Sequence, residues 1–326
     1  MTSAGFTARA TCAAIRAKVG NPTETRFTDK EGEPILAHQV LLPRRLTGVS
    51  RLVRIARLSI EECLQDLARE QWSRLPMLLC VAEPNRPGRL PGLEESLLAT
   101  LQRDLHVTFS SDSGVVASGR VSVAVALQHA RKLIYEGGHA EVLILFADTL
   151  IRADTLGSYD EEDRLLTPAN SNGFMPGEGG GAFLVGRPTG RREFVCAGIG
   201  FATERAHIGS DQPLRADGLT RAHKTALAEA GCKIEDVKLR VCDLAGEHYY
   251  FKEAALAWGR LWRAHLDDPD IWHPAETTGA LGAALAGVCV AVVHSAFVGG
   301  YAPGDAVLLH FSDDAGQRAS VVGFPG

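Results

Sequence analysis

Asn172-Gly173-Phe174-Met175-Pro176-Gly177-Glu178-Gly179-Gly180-Gly181-Ala182-Phe183-Leu184-Val185 is a turn crowded with glycine that runs straight into a short apolar strand. Without a Cβ, Gly177, Gly179, Gly180 and Gly181 admit either a positive φ or the close approach of another segment. Glu178 is the one charge among them, placed to accept hydrogen bonds from amides on neighbouring loops. A plain glycine-rich turn ahead of a hairpin strand has the same local pattern. A phosphate cradle does not, because no Gly-Lys-Ser/Thr follows and no helix begins there.

Away from this turn the totals narrow the class. The chain has 326 residues, more than a typical single domain, which favours two pseudo-equivalent halves or two domains. Hydrophobic residues make up 45% and charged residues 22%, the balance of a globular protein with a large core. A net charge of -5 and the lack of any Lys/Arg run argue against nucleic acid or an anionic membrane as partner. No charged-then-apolar leader opens the sequence, and no apolar run reads as long enough to span a bilayer. Seven cysteines with no CxxC pair suit a reducing cytosol better than a disulfide framework. The same spacing offers zinc no paired ligands, and no metal or cofactor is expected.

Ahead of the turn, residues 1–20 read as a short amphipathic helix capped by Thr7. Residues 21–45, with Pro22, Pro34 and Pro43, read as an irregular surface excursion. The spacing of Leu52, Ile55, Ala56, Ile60 and Cys63 predicts a helix over 46–70. Residues 77–82 (MLLCVA) form a continuous apolar run, the mark of a strand buried on both faces of a parallel sheet. A helix over 93–104 and a short strand at 106–109 follow. Residues 117–136 make an apolar helix stopped by Gly137-Gly138, and 141–149 the next strand. Residues 153–172 are a loop leading into the turn, and 182–186 close the first half as a strand.

The second half repeats the plan. Strands are expected at 194–201, 239–244, 271–276, 306–311 and 319–322, with helices at 219–231 and 250–265. A second, almost wholly apolar helix covers 278–297 (TGALGAALAGVCVAVVHSAF). Two halves, 1–190 and 191–326, each with a buried Ala/Val/Gly helix at a comparable place, point to an internal duplication.

The opening string resembles the Gly-Phe-x-Pro-Gly-Glu-Gly-x-Gly-Ala signature of the β-ketoacyl synthases of the thiolase superfamily, through Gly173, Phe174, Pro176, Gly177, Glu178, Gly179 and Gly181. That resemblance implies an α/β thiolase fold, a duplicated α-β-α-β-α sandwich of five layers with two central buried helices. It implies a homodimer paired through the strand at 106–109. It also implies that Met1 falls after the place of a first strand, so that the N-terminal sheet either lacks a member or has its start upstream.

Condensing enzymes of that family use a Cys nucleophile at the start of the first central helix. Two His, or a His and an Asn, from loops of the second half stabilise developing negative charge. Counting back from Gly137-Gly138 places the nucleophile position at Arg120 or Val121. Matching Gly246 places Ala245 at the first histidine, and matching Gly279 places Ala280 at the second. The family's lysine falls near Ala275 or Glu276. None of these side chains is a thiol or an imidazole, so the resemblance implies a pseudoenzyme with no catalytic residues. Ser118 and Ser122, the nearest hydroxyls, read as helix caps, and Arg120 as a loop-solvating charge or an anion contact.

Two functions follow. The first is a non-catalytic binding, scaffold or accessory protein, its partner a synthase subunit or, as with bacterial thiolase-like accessory proteins, a secreted effector. The second is an acyltransferase acting on acyl thioesters through Ser118, Asp243 or His248. No Gly-x-Ser-x-Gly or His-Glu-x-x-His supports other hydrolytic chemistry. The acidic run Asp160-Glu161-Glu162-Asp163 reads as a solvated tip. Tyr249, Tyr250, Phe251, Trp258 and Trp262 read as core packing, with a partner groove as the alternative.

Overall fold

The computed structural model describes residues 1–42, 46–262 and 268–326. Pro43 and the end of the helix expected over 250–265 lie outside the described residues. The first helix, α1 (Ala8–Ala17), is capped by Thr7, whose Oγ1 accepts the Ala10 amide at 3.2 Å. The stretch expected to be irregular contains a hairpin, β1 (Thr23–Thr28) with β2 (Pro34–Ala37). Ile35 and Ala37 are buried there while Pro34 and Leu36 face out, a strand period that the prolines disguise. Next, α2 (Gly48–Cys63) buries Leu52, Ile55, Ala56 and Ile60 along one stripe, and α3 (Arg69–Trp72) is a single turn.

The strand β3 (Met77–Cys80) is buried throughout, as its apolar run predicts. After a π turn at Leu93–Leu97, α4 (Leu98–Leu105) ends on His106, whose φ of 51° is left-handed. That conformation caps a helix and cannot begin a strand, so the strand expected at 106–109 lies instead at β4 (Gly114–Val116). Then come α5 (Ser122–Tyr135) and β5 (Glu141–Thr149). The expected loop over 153–172 opens with α6 (Ala153–Glu161), which buries Thr155, Leu156 and Tyr159 at helical spacing among polar neighbours. Finally β6 (Glu178–Gly186) begins inside the glycine turn rather than after it.

The remaining elements are β7 (Phe194–Thr203), α7 (Asp217–Ala230), β8 (Val237–Cys242), α8 (His248–Leu261) and β9 (Asp270–Trp272). They are followed by α9 (Ala275–Thr278), α10 (Leu285–Gly299), β10 (Ala306–Ser312) and β11 (Gln317–Pro325). The span Gly282–Gly299 is, against the sequence reading, long and apolar enough to cross a membrane, but 72% of it is buried inside the protein, as in a core helix.

Two compact units result. One comprises Met1–Arg187 with Ala275–Val288, the other Pro188–Pro274 with Cys289–Gly326. The first sheet runs β4-β3-β5-β6, with β6 antiparallel to β5 and the other pairs parallel. Leu52, Ile55 and Ile60 of α2 pack with Leu97, Leu101, Leu143 and Leu145, all fully buried. Each such side chain contributes about 1.5–3 kcal/mol of transfer free energy. The second sheet runs β9-β8-β10-β11-β7. Its first four strands repeat the order and directions of the first sheet, an internal duplication at the level of topology. The fifth, β7, pairs antiparallel with β11 and has no counterpart in the first sheet among the described residues.

Candidate functional site

In the first unit the glycine turn is where several segments meet. Phe174 receives a bond from the Leu166 amide at 2.9 Å and stacks edge-on against Tyr159. Ala280 is tied to the turn on both sides: its amide donates to the Met175 carbonyl and its carbonyl accepts from Gly177, each at 2.9 Å. None of the motif glycines has a positive φ. They are needed for close approach: a Cβ on Gly177 would stand 2.6 Å from the Thr278 carbonyl oxygen, and one on Gly180 2.6 Å from Ile55. Glu178 is buried and accepts from the Val40 amide at 2.9 Å, from Thr149 Oγ1 at 3.1 Å, and from both Nε and Nη2 of Arg51. The amide contact is the one its position in the sequence suggests. The guanidinium fork from α2 was not legible, and it completes the hydrogen bonds of the buried carboxyl group.

The counted nucleophile positions, Arg120 and Val121, lie in a 3-10 turn, Gly119–Val121, that leads into α5. A matching turn, Gly282–Ala284, leads into α10, and the two turns pack together. Each opens on a glycine in the left-handed region, Gly119 at φ 52° and Gly282 at φ 55°. A Cβ at either would collide with an acid, Glu83 in the first case and Asp148 in the second.

Asp148, at the end of β5, holds this centre together. Its Oδ2 accepts from Arg86 Nη1 at 2.5 Å and from the Ala283 amide at 2.8 Å, and its Oδ1 accepts from the Thr149 amide. The two side chains are 2% and 1% exposed. Burial alone would lower the Arg86 pKa, but Asp148 and Glu83 outweigh it and hold the guanidinium charged. Arg86 Nε has no partner. The loop carrying Arg86 is fixed by Arg89 Nε on the Ala82 carbonyl and by Arg152 Nε and Thr155 Oγ1 on the Gly88 carbonyl. Sequence reasoning missed both partners. The available signal was an acid, Asp148, following the apolar run 142–147 (VLILFA), and an arginine in the Pro-rich loop after β3.

The hydroxyls near this centre are engaged differently than expected. Ser122 Oγ donates to the Gly119 carbonyl at 2.6 Å, and Ser118 makes no capping bond. Cys80 of β3 is pushed up to about 12 by burial. Beside the centre, the Phe146 ring fills the space between Gly181 and Gly287, where a Cβ at either would strike it, and it tilts against Phe183 at 5.6 Å.

In the second unit, Ala245 lies in the loop between β8 and α8, beside Asp243 and a Gly246 at φ 127°. Asp243 Oδ2 accepts the Ser312 amide at 3.0 Å, and Ser312 Oγ donates to Glu253 at 3.1 Å. Glu253 then accepts from Arg318 Nε at 2.7 Å, and Arg318 also donates to the Asp313 and Gln317 carbonyls and to Tyr249. Burial raises the Glu253 carboxyl although Arg318 opposes it. Next to this network His223 contacts Ser320 Oγ at 2.7 Å and meets His310 edge-on, and neither nitrogen of His310 has a partner. His248 is exposed at the start of α8. Tyr250 and Trp258 are buried and Phe251 is exposed, so the aromatic group is mostly core. Among the described residues no three His, Cys, Asp or Glu gather as metal ligands.

No family model and no curated protein matches the sequence. Solved structures do. A structure described as the ishigamide ketosynthase/chain length factor superposes with a TM-score of 0.79 at 16% identity, covering 99% of this chain and 96% of that one. The fold is that of the ketosynthases. A type II polyketide ketosynthase in complex with its acyl-carrier protein (AntDE:AntF) gives 0.78 at 14% identity over 99% and 96% of the two chains. The ketosynthase ApeO with its chain length factor ApeC from Xenorhabdus doucetiae gives 0.75 at 12% over 100% and 96%. The ketosynthase fold accounts for the duplicated sheets and for the two small-residue helices α5 and α10, each of which precedes the third strand of its sheet order.

Proposed function

We propose that this chain is a catalytically inactive, cytosolic ketosynthase-fold subunit that acts as the non-catalytic partner of a ketosynthase. The Arg86–Asp148 pair carries the reading. It is anchored on the Ala283 amide, in the turn that packs against Gly119–Val121, where a ketosynthase-fold enzyme would present its nucleophile. A fixed, charge-neutral pair there offers nothing that attacks a thioester. Arg120, Val121 and Ala280, with Ala245 in the second unit, supply no thiol or imidazole. The neighbours described as ketosynthase/chain length factor pairs support a protein partner of the same fold, in preference to the homodimer expected from sequence or a secreted effector.

The alternative of an acyltransferase with non-standard residues has less support. Asp243 is committed to the Ser312 amide and Ser122 to its own backbone. Incubation with acyl-CoA and with acylated carrier protein, followed by intact mass, is expected to return a single unacylated species. A covalent adduct on any residue would refute inactivity. Light scattering of the chain alone and mixed with a co-encoded ketosynthase tests the partner: a one-to-one complex is expected, and persistence of separate species refutes it.

A further inference from the structure

In the second unit a polar patch interrupts the face of the sheet that α7 and α8 cover. Ladder pairing sets Arg240 of β8 beside Leu308 of β10 and Val322 of β11; two residues along, it sets Cys242 beside His310 and Ser320. Residues two apart on a strand share a face, so Arg240, His310 and Ser320 lie together on this one. Around them Leu308 and Val322 pack with Ala226 and Leu227 of α7 and Trp258 of α8. His223 of α7 reaches the same place: its Nδ1 lies 2.7 Å from Ser320 Oγ and its ring centre 5.4 Å from that of His310. Arg240 rests on the Trp258 ring, with Cζ 4.3 Å from the ring centre. The fold does not demand this polarity. Matching the ladders of the two sheets puts Leu79, Ala147 and Gly180 where Arg240, His310 and Ser320 stand. Leu79 and Ala147 are buried in the apolar cluster of the first unit, and Ile55 of α2 packs against Gly180.

Three nitrogens of the patch are buried with no protein partner among the described residues: Arg240 Nε and both ring nitrogens of His310, a residue 2% exposed. Leaving each unbonded would cost about 1–3 kcal/mol. Buried polar groups in folded proteins bond to protein or to ordered water. The count of donors and acceptors selects the partner. Arg240 Nε–H only donates. His310 is neutral, because burial and the charges of Arg240 and Arg318 oppose its protonation, so its ring presents one donor and one acceptor. A halide could accept from the donors but gives nothing to the ring's lone pair. A metal cation could take that lone pair, but it would face Arg240 and find its counter-charges engaged. Glu253 is held by Arg318 and Ser312, and Asp268 by Trp258 Nε1. A neutral hydroxylic molecule both gives and takes.

We propose that Arg240, His310, His223 and Ser320 form an internal hydration site between the sheet and α7 and α8, in which ordered water bonds Arg240 Nε and both ring nitrogens of His310. The two ring nitrogens point away from each other, so one molecule cannot serve both and the site holds at least two. Each gains the two or more polar partners that a buried water needs only if it also bonds its neighbour or one of the other three side chains. Arg240 is half-buried, so the site runs from the rim of the helix layer to the fully enclosed His310. Water there gives His310 a proton donor and acceptor that is already in place, and the ring can be charged in acid while α7 stays on the sheet. The site is independent of whether the chain is catalytically inactive, since none of its residues falls at a counted catalytic position.

A crystal structure of the full chain tests this directly. Water is expected at hydrogen-bonding distance, about 2.7–3.2 Å, from Arg240 Nε and from each His310 nitrogen. Three nitrogens that meet protein atoms alone overturn the proposal. So does an anomalous peak at the site after a bromide soak, which would make it an anion site. In solution the same site is read from the ring nitrogens of the full chain labelled with 15N-histidine. The acceptor nitrogen of His310 is expected to resonate where a hydrogen-bonded imidazole does, and resonance at the position of a free one overturns the proposal. His310→Gln keeps one donor and one acceptor and is expected to retain ordered water beside Arg240, whereas His310→Leu is expected to lose it. Water held equally in both variants would remove His310 from the site. Should the leucine variant fail to fold, the measurements on the unaltered chain decide alone.

Discussion

Matching positions in the two sheets carry opposite charges. Glu178 begins β6 and Arg318 begins the paired stretch of β11, each facing the last residue of the preceding strand. Glu178 is held by Arg51 of α2, and Arg318 by Glu253 of α8. What the duplication preserves is a charged tie between the start of an antiparallel strand and a covering helix. The sign is free, provided that the helix supplies the complement and nearby backbone completes the hydrogen bonds. The two ties differ in enclosure. Arg51 keeps 18% of its side chain exposed, whereas Arg318 and Glu253 are at 0% and 1%.

Enclosure ranks the consequences. Arg318→Ala strands the Glu253 carboxylate in the core and is expected to cost about 3–5 kcal/mol in chemical denaturation. Arg51→Ala leaves Glu178 its Val40 and Thr149 donors and vacates a partly exposed position that water can enter, and is expected to cost about 1–3 kcal/mol. Equal losses would break the contrast.

Acid sharpens it. Burial depresses His223 to about 3, with Arg240 adding to the effect, and puts His310 well below 6.5, with His223, Arg240 and Arg318 around it. Both are neutral when folded, so the unfolded chain binds the extra protons. Their contribution to stability is therefore complete above about 6.5 and is lost as pH falls toward 3. At pH ~5 the His223 part costs roughly 2 kcal/mol, and His310 adds in the same direction. Among the described residues of the first unit, burial depresses His38, to about 4, and the Met1 amine. Amide exchange measured down an acid series is expected to open the second unit first, and His310→Phe is expected to flatten that trend. Gly180→Ala is expected to cost about as much as Arg51→Ala, about 1–3 kcal/mol, by overpacking against Ile55, detected as a lower melting temperature.

Much of this architecture was legible. The apolar runs of β3 and β5 and the small-residue helices α5 and α10 announce themselves because burial on every side leaves no polar period to misread. What failed were places where local chemistry conceals the period. Prolines hid β1 and β2, acidic residues hid α6, and a non-glycine residue, His106, took the left-handed cap that moved the edge strand to β4. The turn with Glu178 could be found because its glycines cluster. Its partner Arg51, and the Arg86–Asp148 pair, could not, because each joins residues far apart in the chain and carries no spacing rule. That β7 lacks a counterpart among the described residues of the first sheet emerges only when one sheet is laid against the other.

Phe146 sits with hydrogen-only residues on two sides, Gly181 and Gly287. Cutting that ring back to a methyl would remove a large volume from walls that have no side chains to lean inward. Those two glycine walls cannot close the void by rotamer change, so Phe146→Ala should retain a dry chamber able to admit xenon or benzene. The ring is thus a plug, and the space it fills is a hollow that the backbone itself defines.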